Sequence, residues 1–113
     1  MEGGEGDDEI TAGEGDDQAY GGTGNDSING NGGNDLLDGG EGDDVIEGEE
    51  GDDYIIGGEG DDELSAGAGN DLLEGGEGND SLHGNEGDNI LDLRNVNAVV
   101  RQLNKNFLFV VLL

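Results

Sequence analysis

From Gly3 to Asp92 the chain returns to one apolar position every nine residues: Ile10, Ala19, Ile28, Leu37, Ile46, Ile55, Leu64, Leu73, Leu82 and Leu91. The intervening positions are mostly polar or glycine in a fixed order. Ten units follow one another without gap or insertion, starting at Gly3, Ala12, Gly21, Gly30, Gly39, Gly48, Gly57, Ala66, Gly75 and Gly84. A constant internal period is the signature of a stacked, repetitive fold. The last three residues of a unit, such as Val45, Ile46 and Glu47, predict a very short strand whose middle side chain faces one way and its neighbours the other. The first six, such as Gly39, Gly40, Glu41, Gly42, Asp43 and Asp44, predict a turn, because glycine adopts positive φ freely and Asn or Asp tolerate it next best. Two nine-residue units therefore close one turn of a coil, and stacked turns pair each strand with the strand two units on. The expected architecture is all-β: two parallel sheets in about five turns over residues 3–92, enclosing a thin core of Ile and Leu.

After Asp92 the pattern stops. Val96, Val99, Val100, Leu103, Phe107, Val110 and Val111 follow helical spacing, so LRNVNAVVRQLNKNF predicts an amphipathic helix, whereas the final FLFVVLL reads equally as a strand. In either form residues 93–113 are expected to cap the open end of the coil or to lie over one sheet. Arg94, Arg101 and Lys105, the only basic residues of the chain, fall in this tail.

Composition changes the picture in one respect. Thirty acidic residues against three basic ones give a formal charge of −27, and 26 of the 113 residues are glycine. Such numbers by themselves describe a disordered chain. The acids, however, keep register: the sixth position of successive units is Asp8, Asp17, Asp26, Asp35, Asp44, Asp53, Asp62, Asp71, Asp80 and Asn89. In the coil these form two rows, Asp8–Asp26–Asp44–Asp62–Asp80 on one edge and Asp17–Asp35–Asp53–Asp71–Asn89 on the other. Carboxylates aligned at strand spacing repel one another unless a cation lies between successive loops. The charge excludes a general attraction to nucleic acid or to anionic membranes, and no stretch reaches the roughly 18 apolar residues of a membrane span. The residues after Met1 do not read as a secretory signal peptide, so export by an amino-terminal route is not expected. The donors offered by the loops are carboxylates and main-chain carbonyls, without Cys or His. An all-oxygen set of this kind favours Ca²⁺ over Zn²⁺ or Mg²⁺.

A second column is apolar. Position seven of the even-numbered units reads Gln18, Leu36, Tyr54, Leu72 and Ile90, against Glu9, Ser27, Val45, Glu63 and Ser81 in the odd ones. With Tyr20 and Ile56, the even column predicts an exposed apolar stripe on one sheet, a surface for a protein partner or for self-association through Leu36, Tyr54, Leu72 and Ile90.

The unit, two glycines, any residue, Gly, any residue, Asp, any residue, a large apolar residue and any residue, resembles the calcium-binding nonapeptide of the RTX (haemolysin-type) proteins, over residues 3–92. The resemblance implies a parallel β-roll, a right-handed two-sheet β-solenoid. It also implies Ca²⁺ held between consecutive loops of one edge, the sixth-position Asp supplying the side-chain ligand and loop carbonyls most of the rest. With four neighbouring pairs on each edge the coil would hold up to about eight ions. It further implies a bacterial protein exported by a type I system through an uncleaved C-terminal signal, which folds on meeting extracellular calcium. The tail at 93–113 is similar to such signals.

Departures mark weak points. Asn89 is a weaker ligand than Asp, and Ala12, Ala66, Asn31, Glu49 and Asn85 replace glycines whose backbone freedom is expected to matter. Position five, such as Asp43 and Asn70, is read as a turn residue lending its carbonyl. Glu41 and its equivalents at position three are read as solvated charge. His83 falls on an outward strand position without a catalytic partner, and Ser27, Ser65 and Ser81 have no base placed beside them by any pattern. No enzyme is expected of the repeats. Besides a calcium-folded module, the sequence admits a calcium-stiffened adhesive spacer, or the C-terminal piece of a larger secreted enzyme or toxin.

Overall fold

The computed structural model describes residues 1–92 and the backbone of residues 99–101 and 108–111. Its strands are β1 (Glu2–Glu5), β2 (Glu9–Thr11), β3 (Gln18–Thr23), β4 (Ser27–Asn29), β5 (Leu36–Glu41), β6 (Val45–Glu50), β7 (Tyr54–Glu59), β8 (Glu63–Ala68), β9 (Leu72–Glu77), β10 (Ser81–His83), β11 (Asn89–Asp92), β12 (Val99–Arg101) and β13 (Leu108–Val111). Odd strands make a seven-stranded sheet in the order β1-β3-β5-β7-β9-β11-β13. Even strands make a six-stranded sheet in the order β12-β10-β8-β6-β4-β2. Every pairing is parallel and joins a strand to the next but one, as an all-β two-sheet solenoid requires.

The register inside the repeats is 18 residues, so like residues stack. Ile10, Ile28, Ile46, Leu64 and Leu82 form one inward column. Ala19, Leu37, Ile55, Leu73 and Leu91 form the other. All ten are buried, and among the described residues only Ala66 joins them in the apolar core. Each buried Ile or Leu contributes about 1.5–3 kcal/mol, and one such residue per nine is a thin core for a chain this rich in glycine.

The strands are longer than the three residues expected. In the central turns they run through position three of the next unit: β5 carries Leu36, Leu37 and Asp38 on into Gly39, Gly40 and Glu41, pairing Gly40 with Gly58 and Glu41 with Glu59. Position two makes this possible. Gly40 has φ +97°, a kink that redirects the chain without leaving the ladder, and only positions four to six form the corner. Asn31, Glu49 and Asn85, which replace position-two glycines, adopt φ of 69°, 77° and 62°, so the expectation that these sites demand backbone freedom holds. At position one it does not: none of those glycines has positive φ, and the glycine serves a different purpose, described below.

Sequence also misjudges the tail. The helical alternative fails at Val99–Arg101, which is strand β12 and pairs with β10, while β13 pairs with β11 and bears out the strand-like reading of the final residues. The remaining tail positions, with Arg94, Val96, Leu103, Lys105 and Phe107, lie outside the described residues. The reason is physical: the last full turn offers unpaired backbone N–H and C=O groups on both sheets, and Val- and Phe-rich segments satisfy them as strands.

The even column of position seven stacks as expected. Gln18, Leu36, Tyr54, Leu72 and Ile90 are successive cross-strand neighbours on the seven-stranded sheet. Tyr54 and Ile90 are exposed, and Leu36 and Leu72 half-buried. Partial desolvation of the ring's hydroxyl end and a hydrogen bond from Tyr54 Oη to Glu74 Oε1, 2.8 Å, push the Tyr54 phenol up to about 12.

Candidate metal centre

The corners of the coil carry two side-chain ladders that run in opposite directions. At position six the carboxylate reaches back one turn: Oδ1 of Asp26, Asp44, Asp62 and Asp80 accepts the backbone N–H of Asp8, Asp26, Asp44 and Asp62 at 2.7–2.9 Å. On the other edge, Asp35, Asp53, Asp71 and Asn89 accept from Asp17, Asp35, Asp53 and Asp71 over the same range. At position five the side chain reaches forward instead. Asp7 accepts from the N–H of Asn25, Asn25 from Asp43, Asp43 from Asp61 and Asp61 from Asn79, and Asp16, Asn34, Asp52 and Asn70 continue likewise to Asp88. Position five thus works through its side chain as well as its turn preference, a role the sequence reading missed. The signal was present: position five is Asp or Asn in every unit, as it must be where one Oδ1 acceptor suffices, whereas position six is Asp in nine of ten.

At nine of the ten units position six carries a second oxygen, and what that oxygen faces sets it apart. Oδ2 of Asp8, Asp17, Asp26, Asp35, Asp44, Asp53, Asp62, Asp71 and Asp80 is buried and has no hydrogen-bond partner. A buried acceptor without a donor is costly, and a buried charge more so. The space before it is shaped by position one. A Cβ added to Gly57 would lie 2.6 Å from Asp62 Oδ2 and 2.6 Å from the carbonyl oxygen of Gly75, one turn on. Gly39 and Gly48 are enclosed in the same way, by Asp44 and the Gly57 carbonyl and by Asp53 and the Ala66 carbonyl. Position-one glycine therefore keeps open a small cradle between an aspartate and a main-chain carbonyl. Ala12 and Ala66 show that a methyl is accommodated there in two units, Ala66 fully buried.

Asn89 reveals more of the cradle, because its amide has a donor where aspartate has Oδ2. Nδ2 donates to Gly84 O at 2.8 Å and, more weakly, to Glu86 O at 3.4 Å, the carbonyls of positions one and three of its own unit. The groups seen beside the cradle, the aspartate Oδ2 and the loop carbonyls, are acceptors. Among the described residues no three acidic, His or Cys side chains converge on one point, so a cation here would have to be held by single carboxylates completed with main-chain carbonyls. This donor set fits Ca²⁺, which takes six to eight oxygens in flexible geometry.

Electrostatics agree. Burial is the largest cause that pushes Asp53 and Asp62 up to about 7 and Asp71 to about 6; the backbone N–H bonds oppose it, and neighbouring carboxylates add to it. Asp35, Asp44 and Asp80 move the same way for the same reason. Position three is solvated as expected, Glu41, Glu50, Glu59 and Glu77 being exposed. His83 does have a neighbour, Ser81 Oγ at 2.9 Å from Nε2, two residues along the same strand. Ser65 Oγ meanwhile accepts from Asn85 Nδ2 at 3.0 Å.

The family model of the RTX calcium-binding nonapeptide repeat matches this chain in four copies, over residues 2–37, 29–64, 38–73 and 65–97. No curated protein and no solved structure matches it.

Proposed function

The chain belongs to the RTX calcium-binding nonapeptide repeat family, and from that premise we propose that this β-roll is ordered by calcium rather than merely decorated by it. The roll is a calcium-binding module and not a catalytic fold. The observation that carries the proposal is the row of buried, partnerless Oδ2 atoms on Asp8, Asp17, Asp26, Asp35, Asp44, Asp53, Asp62, Asp71 and Asp80. Bound Ca²⁺ would supply positive charge and accept lone pairs from oxygens that no described residue satisfies. The chain's own residues do the rest. Position-six Oδ1 clips each corner to the preceding turn and position five clips it to the following one. Position-one Gly leaves the opening, and the loop carbonyls and Oδ2 line it. Asn89 is the exception among the proposed ligands.

With binding coupled to folding in this way, ordering should be cooperative along the stack and respond to roughly 0.1–1 mM calcium, the range of extracellular modules. Up to about eight ions correspond to the neighbouring pairs of position-six residues. RTX repeats are typical of secreted bacterial proteins. An extracellular site of action after type I export suits a chain whose acids would keep it open where calcium is scarce.

The test is a CaCl₂ titration of the EDTA-treated chain followed by far-ultraviolet circular dichroism, with MgCl₂ at matched ionic strength. A sigmoidal gain of β signal with calcium alone is the expected result. Full β signal in EDTA, or an equal response to magnesium, would remove the case for calcium-coupled folding.

The stripe of Leu36, Tyr54, Leu72 and Ile90 supports a second role, a calcium-stiffened spacer that meets a protein partner or another copy through the seven-stranded sheet. Replacing Leu36, Tyr54 and Leu72 together by Ser should then lower the sedimentation coefficient or loosen the tail to protease while leaving calcium binding intact. No change in either readout would argue that the stripe is ordinary strand composition.

A further inference from the structure

Asn89 is the one position-six residue that is not an acid, yet it is buried and keeps the ladder bond that the aspartates make. Its Oδ1 accepts the Asp71 N–H at 2.8 Å, which fixes the amide orientation, because only oxygen can accept there. Nδ2 must then point into the cradle, where it donates to Gly84 O at 2.8 Å and Glu86 O at 3.4 Å. The side chain is fully buried and is absent from the buried atoms lacking a partner. One amide thus does two things: it keeps the ladder bond of an aspartate and, where an aspartate carries an unpaired Oδ2, it donates to two carbonyls of its own unit.

We infer that Asn89 is a built-in substitute for a cation, so the last cradle on its edge closes with a side-chain N–H and takes no calcium. This rests on the calcium reading above, and it assigns Asn89 as the residue that sets where the row of sites ends. A change of one atom, from Oδ2 to Nδ2, converts an all-acceptor opening into a satisfied one. It removes a formal charge at the same time. The exchange should work in both directions. An Asp at 89 would restore the orphan oxygen and with it a site. An Asn in the middle of a row, at Asp44 for example, would close that cradle through the corresponding carbonyls of Gly39 and Glu41 while Oδ1 still accepts the Asp26 N–H.

The experiment counts calcium ions on the whole chain by native mass spectrometry at saturating CaCl₂, with circular dichroism on the same samples, for the wild type, Asn89→Asp, Asp44→Asn and Asp44→Ala. Expected are one ion more on Asn89→Asp, at least one fewer on Asp44→Asn with the wild-type β signal kept, and a reduced β signal for Asp44→Ala, which has neither oxygen nor amide. An unchanged ion count in Asn89→Asp overturns the assignment, as does loss of β structure by Asp44→Asn or by Asn89→Asp in calcium. If the wild type itself bound no calcium, the failure would belong to the functional reading and not to Asn89.

Discussion

Held in EDTA and taken from about pH 8 down to about pH 5, the chain should gain β structure with no metal present. Asp53 and Asp62 are pushed up to about 7 and Asp71 to about 6 in the folded state, chiefly by burial. An unfolded carboxylate keeps its ordinary value near 3.8. Between those limits the folded chain binds more protons than the unfolded one, so stability rises as pH falls. The gain begins as pH drops through about 7, is complete below about 4, and is lost again as pH rises through the folded-state values. A proton on Oδ2 replaces the buried charge with an O–H donor facing the cradle's carbonyls, a partial stand-in for the ion. Each unit of displaced pKa corresponds to about 1.4 kcal/mol, and several carboxylates move together, so the transition should be large. In calcium the dependence reverses, with more metal needed at lower pH because protons compete for the same oxygen. Circular dichroism against pH, in EDTA and at fixed ionic strength, is the measurement; a β signal that stays flat or falls on acidification would contradict the account of the buried Oδ2 row.

Gly60→Ala should be far more damaging than Gly6→Ala, although both glycines occupy position four of their units with φ of 125° and 104°. For Gly6 nothing lies within 4 Å of an added Cβ, so the cost is the strain of a left-handed alanine, about 1–2 kcal/mol. At Gly60 the Cβ would run into the carbonyl of Gly42 in the turn beneath, backbone that cannot swing aside. Separating those turns would break the ladder bonds between Asp43 and Asp61 and between Asp44 and Asp62 together, and several kcal/mol should be lost. Urea denaturation at saturating calcium compares the two variants. Equal losses would show that close approach of the turns is not what position-four glycine protects.

How far could residues alone have led? The nine-residue period, the inward Ile and Leu, the two rows of aspartate and the apolar column on one sheet were all legible, because each depends on stacking identical units. Local function within the unit was less so. Position five looked like turn chemistry because Asp and Asn favour turns whether or not their side chains act, and only the direction of the Asn25–Asp43–Asp61 ladder separates the two. Position-one glycine looked like position-two glycine, yet one keeps a space clear and the other adopts a positive φ. The tail was ambiguous because Val99, Val100, Val110 and Val111 satisfy helical and strand patterns together. What decided it was the open edge of β10 and β11, which no window of sequence contains. Asn89 read as a weakened aspartate until its Nδ2 was seen to have partners.

The opposed ladders give the rod a symmetry of its own. A bond from each position-six N–H to the Oδ1 eighteen residues on, and from each position-five Oδ1 to the N–H eighteen residues on, maps the coil onto itself by whole turns only. A shift of nine exchanges the edges and carries the Leu36–Tyr54–Leu72 column onto the opposite face. Gains and losses that keep the molecule in phase therefore come in pairs of nonapeptides, and an odd number of units would leave one part of the rod facing the wrong way relative to the other.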